Sequence, residues 1–184
     1  MGLSPDGTLA FVASKANHRI QSHTVDQITG ELTPIGTAAI TGTSPDRVIV
    51  DPRGRFVWCQ NYHARNLNLF LIDQVTGELS PAGDLSFFTR RPTDMVLDDT
   101  GDHLYVSFEE TSEIQRFRID GNGTTGFDLV WGTCTTTGGL PNSLAIGPAG
   151  TFLTVTCAGS NELRAYAVNR EDGELALASI QELD

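Results

Sequence analysis

The sequence predicts an all-β fold built from four copies of one structural unit. Four glycines, each ending a short polar segment, recur at intervals of 47, 47 and 49 residues: Gly7, Gly54, Gly101 and Gly150. Counted from each glycine, the fifth, thirteenth and eighteenth residues that follow are valine, isoleucine, leucine or cysteine in all four copies. Each copy also contains four short β-rich runs. Four strands per unit at this period are typical of a β-propeller with four-stranded antiparallel blades.

The repeats span about residues 1–44, 45–91, 92–140 and 141–184, and we interpret them as one partial propeller domain. The last three repeats open at a proline: Pro45, Pro92 and Pro141. In the second repeat the strand-like runs are RVIVD, RFVWCQ, LNLFLID and a looser run near LSPAGDLSF. The segments between them are rich in Asp, Asn and Gly, which tolerate the conformations of tight hairpins. No segment carries a sustained helical period.

One polar turn occurs twice in nearly the same letters. The stretch VDQITGELTPIG at residues 25–36 returns as IDQVTGELSPAG at residues 72–83, with eight of twelve letters identical. We interpret it as the hairpin between the third and fourth strands of successive blades, in which Asp and Thr-Gly shape the turn. A metal-binding loop is the less economical alternative, because turn chemistry alone accounts for these residues.

The composition restricts the classes of partner. The chain has 12 Lys and Arg against 23 Asp and Glu, a net charge of −11, which would repel nucleic acid and an anionic membrane surface. No run of about 18 apolar residues is present, and MGLSPDG lacks the pattern of a signal peptide. The three scattered cysteines suit buried thiols better than disulfides or a zinc site: Cys59, Cys134 and Cys157. We expect a soluble cytoplasmic protein without a metal or other cofactor.

The order of the strands predicts which residues share an edge of each sheet. Because the first two strands of a blade are antiparallel, the residues that open a repeat lie beside the loop that joins its second and third strands. We call this side the loop edge, and the opposite side, which carries the two hairpin turns, the turn edge. Four arginines fall at the loop edge of an otherwise acidic chain, and they predict a basic pocket for a small anionic molecule: Arg47, Arg65, Arg90 and Arg91. Ordinary polar loop residues are the alternative.

Three sequence features carry a resemblance to a known family. These are the PDG-type turn, the second strand LYVS at residues 104–107, and the hairpin with an apolar residue followed by Asp-x-x-Thr-Gly-Glu-Leu. Over essentially the whole chain, the repeats resemble the lactonase-type seven-bladed β-propellers, which include 6-phosphogluconolactonases and muconate cyclases. The resemblance implies hydrolysis of a sugar lactone, such as 6-phosphogluconolactone, by a metal-independent carboxylic ester hydrolase.

Opening a lactone requires a base that activates water and a cation or donor for the developing oxyanion. Glu109 and His63 are the candidate bases. Arg91 is the candidate cation, with Arg47 and Arg65 as alternatives. The predicted substrate-binding residues are Arg47, Arg65, Arg90, Asp94 and Glu110.

The chain departs from its relatives at the positions that matter most for this chemistry. In a blade resembling the third repeat, relatives usually read Pro-Arg-His at the start of the first strand and Asn-Glu-Leu at the end of the second. Glu109 stands at the glutamate position, whereas Thr93 and Asp94 stand at those of the arginine and the histidine. The preceding blade of relatives reads Pro-His where this chain has Asp46 after the proline. The alternative function is therefore a non-catalytic propeller that binds a ligand or a protein.

The number of repeats differs from the seven of the family. Three interpretations account for four blades: a fragment of a longer protein, a homodimer that forms an eight-bladed ring, or a four-bladed ring. We favour the fragment, because the first strand of the first repeat is short and a closed ring relies on complete terminal blades.

Overall fold

The computed structural model describes residues 1–87, 89–120 and 128–183. The first sheet consists of β1 (Gly2–Leu3), β2 (Leu9–Ser14), β3 (Arg19–Val25) and β4 (Leu32–Ile40). The second consists of β5 (Pro45–Val50), β6 (Phe56–Asn61), β7 (Asn66–Ile72) and β8 (Leu79–Ser86). The third consists of β9 (Pro92–Leu97), β10 (His103–Phe108), β11 (Glu113–Asp120) and β12 (Asp128–Thr136). The fourth consists of β13 (Pro141–Ile146), β14 (Phe152–Cys157), β15 (Glu162–Val168) and β16 (Leu175–Glu182).

In each sheet the four strands lie side by side in chain order, and every neighbouring pair is antiparallel. The described residues form no helix that is long and apolar enough to cross a membrane. The predicted all-β fold of four-stranded antiparallel blades is confirmed. The boundaries of the four repeats and their union in one domain stay predictions.

The repeated glycines close the hairpin turn between the first two strands of each sheet. Each glycine N–H donates to the carbonyl oxygen three residues earlier at 2.8–3.2 Å, and the acceptors are Ser4, Asp51, Asp98 and Gly147. The φ angles of these glycines lie between 62° and 73°, in the left-handed region that side chains with a Cβ rarely adopt. The interval found in the sequence is therefore the interval between equivalent turns.

The turn written twice joins the third and fourth strands, as predicted. The Asp26 carboxylate accepts hydrogen bonds from the backbone N–H groups of Ile28 and Thr29 at 2.8 Å each. Asp73 accepts the same two bonds one repeat later, at 2.8 and 2.7 Å. In the fourth sheet the position is occupied by Asn169, whose Oδ1 accepts the N–H of Glu171 at 3.0 Å. These contacts support turn chemistry, and no cluster that could hold a metal occurs among the described residues.

We expect these two turn aspartates to make the fold sensitive to acid. Hydrogen bonds from the N–H of Thr29 and Thr76, followed by those of Ile28 and Val75, lower the pKa of Asp26 and of Asp73 below 3.8. Because the folded-state pKa lies below the unfolded one, their contribution is complete above the unfolded pKa and is lost as pH falls through the folded pKa.

The test compares thermal unfolding of the wild type and of Asp26→Asn/Asp73→Asn between pH 7 and pH 2. Asparagine serves this turn in the fourth sheet, so the double variant keeps an acceptor and loses the titrating charge. We expect the midpoint of the wild type to fall more steeply below pH 4 than that of the variant. Parallel curves would show that the two turns do not contribute.

The chain folds as two compact units, and each has its own core. The first unit contains the first and second sheets, and the second unit contains the third and fourth. Between the sheets of the first unit the buried cluster is Phe11, Ile20, Val48, Val57, Cys59, Phe70 and Ile72. In the second unit it is Tyr105, Ile114, Leu144, Leu153, Val155, Cys157 and Tyr166. Burial of these apolar side chains supplies most of the driving force that packs one sheet on the next.

Candidate active site at the loop edge

The strand registers place the predicted site residues at the same edge of each sheet. Pro45 pairs with Asn61 in the second sheet, Pro92 with Phe108 in the third, and Pro141 with Cys157 in the fourth. The residues that open a sheet therefore lie beside the residues that follow its second strand. The sequence argument for a common loop edge holds in these three sheets.

The loops that join the second and third strands share one backbone conformation that the sequence analysis missed. One residue in each loop has a φ of 53–55° and lies at the repeat spacing: His18, Arg65, Ser112 and Asn161. The carbonyl oxygen of each accepts an N–H from the residue that follows the fourth strand of the same sheet. The equal spacing of these four positions could have predicted the shared conformation, but their side chains are of four different types. This turn fixes where the loop-edge side chains emerge.

In the third sheet the two candidate arginines are paired with glutamates. The backbone N–H of Arg91 donates to Glu110 Oε2 at 2.8 Å, and its Nη1 lies 3.6 Å from Glu110 Oε1. Arg90 Nη1 donates to Glu113 Oε2 at 3.3 Å, and its guanidinium stacks 4.4 Å from the centre of the Phe108 ring. The structure thus brings Arg91 and Glu110 together, and it adds Glu113 and Phe108, which the sequence analysis did not single out. Both cations are partly neutralised where they stand.

Glu109 is half-buried at this same edge, directly after β10. It lies between Phe108, which stacks on Arg90, and Glu110, which pairs with Arg91. The predicted base is therefore flanked in the chain by the residues that hold both arginines. This placement is compatible with a catalytic role, which stays a prediction.

The two positions where relatives carry arginine and histidine bind the third sheet to the fourth. Thr93 Oγ1 lies 2.8 Å from the carbonyl oxygen of Pro141 and 2.9 Å from Ser107 Oγ. Asp94 is only 1% exposed, and its Oδ2 accepts the N–H of Leu144 at 2.8 Å. The carboxylate of Asp94 therefore contacts the middle of β13, and its predicted contact with substrate stays a prediction.

In the first unit, the remaining predicted residues lie at the loop edge of the second sheet. His63 is exposed, and its ring packs edge-to-face against Tyr62 with the ring centres 5.3 Å apart. Arg47 is exposed in β5, and Arg65 occupies the left-handed position of its loop. Beside Arg47, the loss of hydration around the carboxyl of Asp46 raises its pKa, although the residue as a whole is exposed.

A buried amide cluster next to this edge was not predicted. Asn61 Nδ2 donates to Asn66 Oδ1 at 3.0 Å and to Asn68 Oδ1 at 2.8 Å. Asn68 Oδ1 also accepts the N–H of Gly42 at 2.8 Å, which ties the end of the first sheet to the second. These amides satisfy one another and hold the loop edge in place.

Cys59 and Cys157 are not candidate nucleophiles. Cys59 and Cys157 are buried free thiols, as predicted, whereas the side chain of Cys134 lies outside the described residues. Burial raises the pKa of Cys59 to about 12 and also raises that of Cys157. A thiol with a raised pKa carries little of the reactive thiolate at neutral pH.

The turn edge of the first unit carries a groove of about 470 Å³, and none of the predicted site residues lines it. Pro5, Pro52, Arg53 and Gln74 contribute to its lining, together with two aspartates. Those carboxylates, on Asp6 and Asp73, already accept hydrogen bonds within their own turns.

Repeated four-stranded antiparallel sheets with charged loops at one edge define a β-propeller protein. Within that class, the chain belongs to the lactonase family with a 7-bladed β-propeller, whose sequence profile matches residues 1–90 and 86–181. The family resemblance seen in the sequence is confirmed. No curated protein matches the chain.

Solved structures show the same fold. A candidate 6-phosphogluconolactonase from Bacteroides uniformis has a TM-score of 0.85 and 22% identity, with 99% of this chain and 54% of that chain covered. A second candidate 6-phosphogluconolactonase, from Bacteroides fragilis, has a TM-score of 0.82 and 19% identity, with 99% and 54% covered. The periplasmic gluconolactonase of Pseudomonas aeruginosa has a TM-score of 0.80 and 20% identity, with 98% and 53% covered. At these identities the likeness shows the fold alone, and the chain spans about half the length of these structures.

Proposed function

We propose that the protein hydrolyses a sugar lactone at the loop edge, with Glu109 as the general base. The proposal rests on the place of Glu109 in the chain, between Phe108 and Glu110, the two residues that contact Arg90 and Arg91. Family membership supports the reaction class, and three of the structural neighbours are named as 6-phosphogluconolactonase or gluconolactonase. A carboxylate and a guanidinium at one edge are the two groups that lactone opening requires.

The proposed reaction needs only the lactone and water as reactants. Glu109 takes a proton from a water molecule as the water oxygen attacks the lactone carbonyl carbon. The carbonyl oxygen becomes an oxyanion, which the guanidinium of Arg91 stabilises. The oxyanion then collapses, the ring C–O bond breaks, and the proton passes from Glu109 to the leaving ring oxygen. Lactone and water give a hydroxy acid, and Glu109 is regenerated as a carboxylate.

Arg91 suits the role of the cation better than Arg90. The Arg91 side chain is 38% exposed, whereas that of Arg90 is 19% exposed beneath its stacking and pairing partners. The 3.6 Å separation from Glu110 is also longer than a normal hydrogen bond. Arg47, Arg65, Arg90, Asp94 and Glu110 stay proposals as substrate contacts, and His63 stays the alternative base.

The test measures the rate at which Glu109→Gln opens glucono-1,5-lactone. The release of protons reports the reaction, and a chelator is present throughout. We expect the enzymatic rate above the spontaneous background to fall by about 10²- to 10⁴-fold, because glutamine cannot accept the proton. Glu171→Gln is the matched control, since it removes one exposed carboxylate at the turn edge of the second unit. An unchanged rate in Glu109→Gln would contradict the assignment. Loss in His63→Gln instead would transfer the role of the base to His63.

A non-catalytic binding module is the second candidate, and one observation favours it. Thr93 and Asp94 replace the basic residues of relatives and hydrogen-bond to the fourth sheet. In that case the wild type and Glu109→Gln would both show no turnover above the background. A cytoplasmic location, the absence of a cofactor and pairing of two chains also stay proposals.

A further inference from the structure

The loop that carries the proposed base lies between two paired strand ends. Residues 109–112 join β10 to β11, and the residues that flank this loop, Phe108 and Glu113, pair directly across the two strands. On its other side Phe108 pairs with Pro92 of β9. The base of the loop therefore belongs to a row of residues that crosses three neighbouring strands.

Arg90 contacts both residues that flank the loop. Its guanidinium stacks 4.4 Å from the centre of the Phe108 ring, and its Nη1 donates to Glu113 Oε2 at 3.3 Å. The side chains of Arg90 and Glu113 are 19% and 28% exposed, and a partly buried ion pair is screened less than one on the open surface. One side chain from the segment before β9 thus joins the end of β10 to the start of β11.

The loop between these ends carries the proposed base and the partner of the proposed cation. Glu109 follows Phe108 directly in the chain. Glu110 comes next, and its Oε2 accepts the backbone N–H of Arg91 at 2.8 Å. Because Glu109 and Glu110 are adjacent, a shift of the loop would move the base and the partner of Arg91 together.

We infer that Arg90 and Glu113 are positioning residues for Glu109, an inference that rests on the proposed function. Their ion pair, which we call the clamp, closes the loop 109–112 at its base and holds Glu109 in place relative to Arg91. Placement matters for this chemistry, because a displacement of about 1 Å can lower a rate by about 100-fold. Arg90 then acts through the loop, and direct contact between Arg90 and the substrate is the alternative that the experiment separates.

The first experiment measures kcat and KM for glucono-1,5-lactone in the wild type, Arg90→Met, Glu113→Gln and the double variant. We expect each single variant to lower kcat by about tenfold with KM unchanged, because the base is displaced while substrate binding is retained. The double variant should be no slower than the slower single variant, since the two residues act as a unit. A KM raised in Arg90→Met, or losses in kcat that multiply in the double variant, would overturn the inference.

The fourth sheet supplies a matched control. Glu162 occupies the position equivalent to Glu113, and its Oε2 accepts a hydrogen bond from Arg164 Nε at 2.8 Å. Glu162→Gln removes an ion pair whose side chains are each 19% exposed, at the same edge of a different sheet. It should leave kcat unchanged. A kcat that falls as far in Glu162→Gln as in Glu113→Gln would contradict the role of the clamp.

Hydrogen exchange of the amides of residues 109–112 tests the clamp independently of turnover. We expect these amides to exchange several-fold faster in Glu113→Gln than in the wild type, and at the wild-type rate in Glu162→Gln. Unchanged exchange in Glu113→Gln would overturn the inference and leave the proposed function standing. No turnover by the wild type would instead overturn the proposed function, and the positioning role with it.

Discussion

Arg55→Thr is expected to destabilise the protein by about 3 kcal/mol, the cost of leaving a buried carboxylate without its cation. Asp51 is fully buried, and both its oxygens accept from the Arg55 guanidinium, at 2.7 and 2.9 Å. The variant keeps the backbone N–H of residue 55 as a donor to Asp51, but it removes the opposite charge. The urea midpoint, followed by the fluorescence of the buried Trp58 in the same sheet, measures the loss.

The first repeat supplies the control for this prediction. Ser4 and Thr8 occupy the positions equivalent to Asp51 and Arg55, and Ser4 Oγ accepts the N–H of Leu9 at 2.9 Å. The double variant Asp51→Ser/Arg55→Thr places the same Ser and Thr in the second repeat and should recover stability to within about 1 kcal/mol of the wild type, because the buried carboxylate is removed together with its cation. A double variant no more stable than Arg55→Thr would show that the charge is not the cause.

Asp94→Asn is expected to destabilise the second unit by about 1–3 kcal/mol. Asp94 Oδ1 accepts the N–H of Met95 at 2.7 Å, and Oδ2 accepts that of Leu144 at 2.8 Å. In either orientation, asparagine turns one of these acceptors into an NH₂ group that faces a donor. The faster hydrogen exchange of the Leu144 amide, together with a lower urea midpoint, measures the effect.

This variant also separates the two roles of Asp94. If its carboxylate contacts substrate, as the sequence predicts, KM should change while the exchange of the Leu144 amide stays as in the wild type. If the Asp94 carboxylate mainly holds β13, the hydrogen-exchange rate of the Leu144 amide should rise. Thr93→Val is the matched control for the neighbouring bond to Pro141, and it should cost about 1 kcal/mol because only neutral groups are involved. An Asp94→Asn variant with unchanged stability and exchange would contradict the structural role.

Sequence patterns predicted part of the candidate site. Glu109 and Arg91 could be placed at one edge because the alternation of antiparallel strands fixes which loops are neighbours. The partner of Arg90 could not, because Glu113 lies across a loop, and its counterpart in the fourth repeat, Glu162, pairs with a different arginine, Arg164. Counting arginines therefore predicted a basic pocket without the glutamates that pair with Arg90 and Arg91, and the pocket stays a prediction.

By itself, the sequence determined the repeat, the sixteen strands in four sheets and both families of turns. These features depend on residues that are close together in the chain, such as Gly7 with Ser4 and Asp26 with Thr29. Each repeat therefore encodes its own strands and turns. Only the tertiary structure decided which groups Thr93 and Asp94 hydrogen-bond to, because these partners lie 48 to 50 residues away in the chain. Such contacts form when one sheet packs on the next, and no local pattern specifies which polar groups then meet. Through that packing, Thr93 and Asp94 hydrogen-bond the third sheet to the fourth.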